Sequence, residues 1–152
     1  MKAYEGLKID CHVARVREAR GPQICEPLAL ARDCADLAGL AQEAFVVVTV
    51  NTKNRKIARH LITLGVVDAS LVHPREVFRA AIADGATAII LAHNHPSGDP
   101  APSSEDLRIT RQLVDAGKIL DVRVLDHVII GREIEGRPGF LSLRESGLVA
   151  FG

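Results

Sequence analysis

Tryptophan is absent from the 152 residues, tyrosine occurs once and phenylalanine four times. Sites that hold single-stranded nucleic acid by stacking interleave aromatic with basic side chains, so that class of function finds little support here. The cysteines are few as well. Cys11, Cys25 and Cys34 form no CxxC pair, which leaves a cysteine-built zinc staple without a basis. An odd number of them, with no apolar stretch where an export signal would carry one, leads us to expect free thiols in a reducing cytoplasm. Neither sign of charge is in excess, with 19 Lys and Arg against 19 Asp and Glu. No global field therefore draws the protein onto phosphate backbones or anionic membranes, and any nucleic-acid contact has to be local. Long hydrophobic runs are also missing: Phe45 to Val50 is strand-sized, far short of the roughly 20 residues of a membrane-spanning helix.

What is present is an ordinary globular composition, 47% hydrophobic and 25% charged, without repeats or low-complexity tracts. The length suits one domain with a real core. His12 to Val16 alternates as a short strand, and Pro27 to Leu40 has helical spacing, so residues 1–41 read as an N-terminal strand and helix extension of the domain at 42–152. The β-branched run Phe45 to Val50 predicts a strand buried on both faces. Asn51 to Asn54 then turns the chain into a second strand near Arg55. His73-Pro74 opens a helix with Val77, Phe78, Ala81 and Ile82 inward and Gly85 closing it. Ala86 to Ala92 predicts another buried strand, Ser103 to about Gly117 a helix, and Val122 to Ile130 the last long strand. FLSLRESG offers a short strand and a terminal helical turn. This order implies an α/β/α sandwich with a mixed sheet, since a hairpin is antiparallel while helical crossovers favour parallel neighbours.

The chemistry concentrates in LAHNHPSGDPAPSSED. His93 and His95 follow a buried strand at i and i+2, so both imidazoles can converge on one point. Asp106 lies in the first turn of the following helix, and the proline-stiffened loop Pro96 to Pro102 is long enough to return it to them. Two imidazoles and a carboxylate leave one tetrahedral position open on zinc, the arrangement of a catalytic site. The same letters also fit two exposed histidines and a capping box of Ser103 with Asp106.

HNHP, six residues, then SxxD at Ser103 and Asp106 matches the metal-binding pattern of the JAB/MPN family. SLVHPREVF, AIILAHNHPSGDPAPSSEDLRITRQLVDAG and LDHVIIG resemble its RadC-like branch, from about Gln42 to Gly147. The resemblance implies a cytidine-deaminase-like fold holding Zn2+ through His93, His95 and Asp106, with Ser103 beside the metal water as oxyanion donor. It further implies a glutamate general base at the start of a core strand, where Glu43 stands in QEAFVVV. Glu76 is the rival, in the first turn of a helix, where a carboxylate already favours the helix dipole. The implied activity is that of a JAMM-type zinc metallopeptidase or isopeptidase acting on a peptide or protein. Asn94 departs from the Ser or Thr usual between the histidines of JAB peptidases. Residues 1–41 lack the glycine hairpins of the helix-hairpin-helix segment that precedes the domain in RadC proteins.

The remaining candidates are weaker. Asp126 is expected to share a strand face with Val124 and Val128, where it would bond either a ligand histidine or backbone. The neighbouring His127 receives no role. His12, His60 and His73 stand alone as surface or capping residues. Lys53, Arg55, Lys56 and Arg59 form a basic hairpin, expected to be solvated rather than bound to nucleic acid. The competing class is a DNA-repair or mobile-element accessory protein with a non-catalytic metal site; a nuclease using the same metal is a third reading. The HxE and PCxxC pair of zinc deaminases is absent.

Overall fold

Ala44–Val50 is buried at every position and forms β1, and Ala88–Asn94 forms β3 in the same way. Strands covered on both faces read as continuous apolar runs, and these two lie at the centre of the sheet. The computed structural model describes residues 17–65 and 71–152. The expected strand at His12 to Val16 lies outside them. β2 is Lys56–Leu64, β4 Arg123–Ile130 and β5 Phe140–Ser142, and the sheet order is β2-β1-β3-β4-β5. β1 pairs antiparallel with both β2 and β3, β3 and β4 are parallel, and β5 returns antiparallel to β4. The mixed sheet follows the hairpin-and-crossover reasoning. In the turn between β1 and β2, Asn51 Oδ1 accepts from the amides of Lys53 and Arg55, both at 2.9 Å, and Asn54 takes φ 57°. Asparagine suits both tasks.

Helices cover both faces. On one, α2 (Pro74–Asp84) and α3 (Ser104–Leu120) bury Val77, Phe78, Ile109 and Leu113 against Phe45, Val47, Ile89 and Leu91. On the other, α1 (Pro27–Asp33) and the 3-10 turn Ala35–Gly39 bring Leu30, Cys34 and Leu37 onto Val46, Val48, Ile90 and Val128. The chain ends in the short helix α4, Leu143–Ser146. Pro27 to Leu40 is thus a helix and a separate turn rather than one helix. Two further expectations change. Ile82 is 59% exposed, and Gly117 lies inside α3 rather than at its end. A Cβ there would stand 2.5 Å from the Val122 carbonyl oxygen, so α3 packs too closely on the start of β4 for any side chain. Asp121, at φ 56°, caps the helix instead.

Two of the four cations of the basic hairpin are paired by the layer beside it. Lys56 pairs with Asp33 and Arg59 with Asp36, each at 2.7 Å. Cys25 and Cys34 are free thiols. Burial pushes the Cys34 thiol up to about 11, which leaves it inert. Among the described residues no helix is long and apolar enough to cross a membrane.

Candidate metal centre

His93 lies on the α2/α3 face of β3, aligned with Ile89 and Leu91 by the two-residue strand period, and is 1% exposed. Phe45, its partner across the β1–β3 ladder, stacks on it with ring centroids 5.8 Å apart. His95 sits just beyond the strand. Asp106 reaches it from α3, where Ser103 is the N-cap. The Asp106 amide donates to Ser103 Oγ at 3.1 Å, and the Ser103 amide donates to Asp106 Oδ2 at 2.9 Å. The capping box and the carboxylate at the histidines are therefore the same structure, not alternatives. His93 Nε2 and His95 Nε2 are 2.9 Å apart, with Asp106 Oδ1 3.3 Å from the first and Oδ2 3.1 Å from the second. Donors at bonds of ~2.0–2.1 Å around a tetrahedral ion stand about 3.3 Å from one another. The observed separations approach that spacing. Glu43 Oε1 comes within 3.6 Å of His93 Nε2, and donor atoms of Glu43, His93, His95 and Asp106 all lie within 4.8 Å of one another. This group can hold a metal ion.

The hydrogen bonds around it settle which ring nitrogens carry protons. The Thr110 hydroxyl donates to the Asp106 carbonyl oxygen at 2.6 Å, so it accepts from His127 Nδ1–H, also at 2.6 Å. His127 Nε2 is then bare and accepts from His93 Nδ1–H at 2.7 Å. Full burial, followed by the charge of His93, holds the His127 pKa well below its ordinary value and keeps that ring neutral. His95 Nδ1–H donates to the Asp99 carbonyl oxygen at 2.8 Å. Both Nε2 atoms therefore turn lone pairs toward the carboxylate of Asp106. Acceptors facing acceptors repel, and a shared cation relieves them. Without one, protons fill the role. Burial works against the charged form of His95, but Asp106 outweighs it and raises the imidazole. Burial likewise opposes the Asp106 carboxylate, yet His93 and His95 hold it far below its usual range. Glu43 goes the other way: its burial outweighs the nearby histidines and raises the carboxyl.

Several expected positions resolve differently. Ile89 pairs with Val124 but Ile90 with Asp126, so Leu125 is an extra residue in β4. This bulge reverses the face. Asp126 does not share a face with Val124; it accepts from the His127 amide, Ser142 Oγ and the Arg144 amide at 2.6–3.1 Å. Its role is the backbone-bonding one, and His127 is the residue that bonds His93. Glu76 is exposed on α2 and pairs with Arg75 at 3.6 Å. His60 bonds Asp84 at 2.6 Å, and His73 is the N-cap of α2 without a side-chain cap bond. His12 lies outside the described residues.

A family model described as the RadC-like JAB domain matches residues 25–148. The chain belongs to the RadC-like JAB domain family. The match reaches back through α1, whose side chains share a core with the sheet. Among its relatives, a UPF0758 protein of Caldanaerobacter subterraneus subsp. tengcongensis is 54% identical over 112 residues, 74% of this chain and 46% of the relative. One from Symbiobacterium thermophilum is 47% identical over 131 residues, 86% of this chain and 54% of the relative. A third, from Desulforamulus reducens, is 47% identical over 114 residues, 75% of this chain and 48% of its own length. The RadC-like JAB domain described here thus spans about half the length of the curated relatives it matches.

Proposed function

We propose that this RadC-like JAB domain is a zinc-dependent hydrolase cleaving a peptide or isopeptide bond. The observation that carries the reading is Glu43, a carboxylate 3.6 Å from His93 Nε2 whose affinity for a proton is raised by burial. Two neutral imidazoles and one carboxylate suit zinc. Bound there, zinc supplies Lewis acidity to the scissile carbonyl and makes a neighbouring water more acidic. Glu43 takes the proton of the attacking water and returns it to the leaving amine, for which a carboxyl held above its ordinary value is better matched than an ordinary one. Ser103 keeps its hydroxyl hydrogen free while its oxygen caps α3, and donates that hydrogen to the oxygen of the carbonyl under attack. The charge balance and the Lys56 and Arg59 ion pairs support a peptide or protein substrate over nucleic acid.

Protein purified without chelator is expected to carry one zinc per chain, lost in His95→Ala. Glu43→Gln should keep that zinc and a near-normal melting point while hydrolysis of a peptide library falls by about 10² to 10⁴-fold. Glu76→Gln should stay active. Loss of zinc from Glu43→Gln would make Glu43 a fourth ligand and overturn the reading.

A further inference from the structure

Asn94 stands between the two histidines of the cluster yet faces away from them. It is 1% exposed, and its carboxamide crosses to β1. Oδ1 accepts from the Ala44 amide at 2.7 Å, and Nδ2 donates to the Gln42 carbonyl oxygen at 3.0 Å. Those two backbone groups flank Glu43. The β1–β3 register ends at the Phe45–His93 pair, so the carboxamide supplies the donor and acceptor that another strand residue would have offered. On the other side of β1, the Gly65 amide donates to the Glu43 carbonyl oxygen at 2.9 Å. The backbone at Glu43 is pinned from both neighbours, beyond the last regular rung of the β1–β3 ladder. Strand alternation then sends Glu43 and Phe45 to the face that holds His93, while Ala44 and Asn94 take the opposite face.

We propose that Asn94 is a positioning residue for Glu43, its side chain clamping the backbone on both sides of that carboxylate so that it meets His93 Nε2. The inference rests on the reading of Glu43 as the base. The chemistry selects asparagine. A hydroxyl can donate and accept at once, but both bonds then meet on a single oxygen that ends one bond nearer its own backbone, where the carboxamide presents two separate atoms; aspartate would set an oxygen against the Gln42 carbonyl. The carboxamide alone offers a donor and an acceptor fixed in one plane. One residue type thus links the ligand strand to the base, and a 1 Å error in the placement of a reacting group can cost about 10²-fold in rate.

The test compares wild type, Asn94→Ala and Asn94→Thr as metal-free full chains by nuclear magnetic resonance. Wild type is expected to show a nuclear Overhauser contact between the Glu43 γ-protons and the carbon-bound ring protons adjoining His93 Nε2. Asn94→Ala should lose it while the Phe45–His93 ring contact persists. Asn94→Thr, the variant to use if alanine does not fold, loses the bond to Gln42 and should weaken the same contact. In zinc-loaded protein, Asn94→Ala should lower kcat on a peptide library by about 10²-fold with KM unchanged. Added to Glu43→Gln, it should cost nothing more, because the two act as a unit. An unchanged Glu43–His93 contact, or a further loss in the double mutant, overturns the proposal. Because the contact is read without metal or substrate, absence of hydrolysis in wild type counts against the base reading and leaves the Asn94 clamp to be decided by the contact.

Discussion

His127 Nε2 accepts the Nδ1–H of His93 at 2.7 Å, and this bond decides which nitrogen of the His93 ring faces the cluster. The other end of His127 is held by Thr110 at 2.6 Å, and Thr110 by the backbone of Asp106. One chain of hydrogen bonds thus runs from one member of the cluster, through β4 and α3, back to another. None of its links is exposed to water.

Removing the acceptor should therefore act on the metal. His127→Leu keeps the bulk but leaves His93 Nδ1–H unpaired, and zinc affinity measured by chelator competition is expected to fall about 10 to 100-fold. His127→Gln can still accept with its amide oxygen and should recover part of the loss. Equal affinity in wild type and His127→Leu would reduce the chain to packing.

Ser103 carries two roles that one substitution separates. Its oxygen caps α3 at 3.1 Å, so Ser103→Ala should lower stability by about 1 kcal/mol. The backbone bond from Ser103 to Asp106 survives the change, so the zinc should stay. If the hydroxyl also serves the carbonyl oxygen of the substrate, turnover drops by about 10² to 10³-fold. A destabilised mutant with full turnover would leave Ser103 as a cap only.

The ion pairs on β2 bear on nucleic acid. Lys56 and Arg59 are held by Asp33 and Asp36, which leaves Lys53 and Arg55 as the cations of that hairpin without an ion pair among the described residues. Labelled duplex and single-stranded DNA should bind no tighter than the non-specific range of about 10⁻⁴ to 10⁻⁶ M at physiological salt. Sequence-selective binding by this chain would favour the accessory-protein reading.

The parts of this site that sequence reasoning reached are those set by local rules. Strand period aligns His93 with the core, the capping box places Asp106, and an apolar run announces each central strand. Glu43 was reachable through family resemblance alone, because a glutamate ahead of a strand has no spacing rule tying it to a histidine on another strand. His127 was missed for a different reason. The bulge at Leu125 reverses the faces of β4, and an extra residue leaves no mark in a sequence of mixed apolar and polar residues read at period two. The Asn94 clamp escaped because its bonds are to backbone on a neighbouring strand, whose register is set by the sheet as a whole. Ile82 fits the helical stripe of α2, yet the core does not extend far enough across that helix to cover it.

Away from the histidine cluster, Asp84 closes α2 on the sheet. It is 2% exposed and accepts from Thr49 Oγ1 at 2.7 Å, from His60 Nε2 at 2.6 Å and from Arg17 at 3.0 Å. Burial pushes its carboxyl up, and the bonds from His60, Thr49 and Arg17 outweigh that and hold it below its ordinary value. A carboxyl with a lower pKa folded than unfolded adds stability that is fully present above the unfolded value, near about 4. That stability is lost as pH falls through the folded value. Asp36, held low by Arg59, and Asp106 change in the same direction, so the measurement has to be a difference between variants. Melting of wild type and Asp84→Asn should be followed from pH 7 to pH 2. The wild type is expected to be the more stable at neutral pH and to lose that advantage below about pH 4, because the asparagine has no proton to gain there. Parallel curves across the whole range would mean that Asp84 titrates alike in the folded and unfolded chain, and that its three bonds favour the charged carboxylate no more than water does.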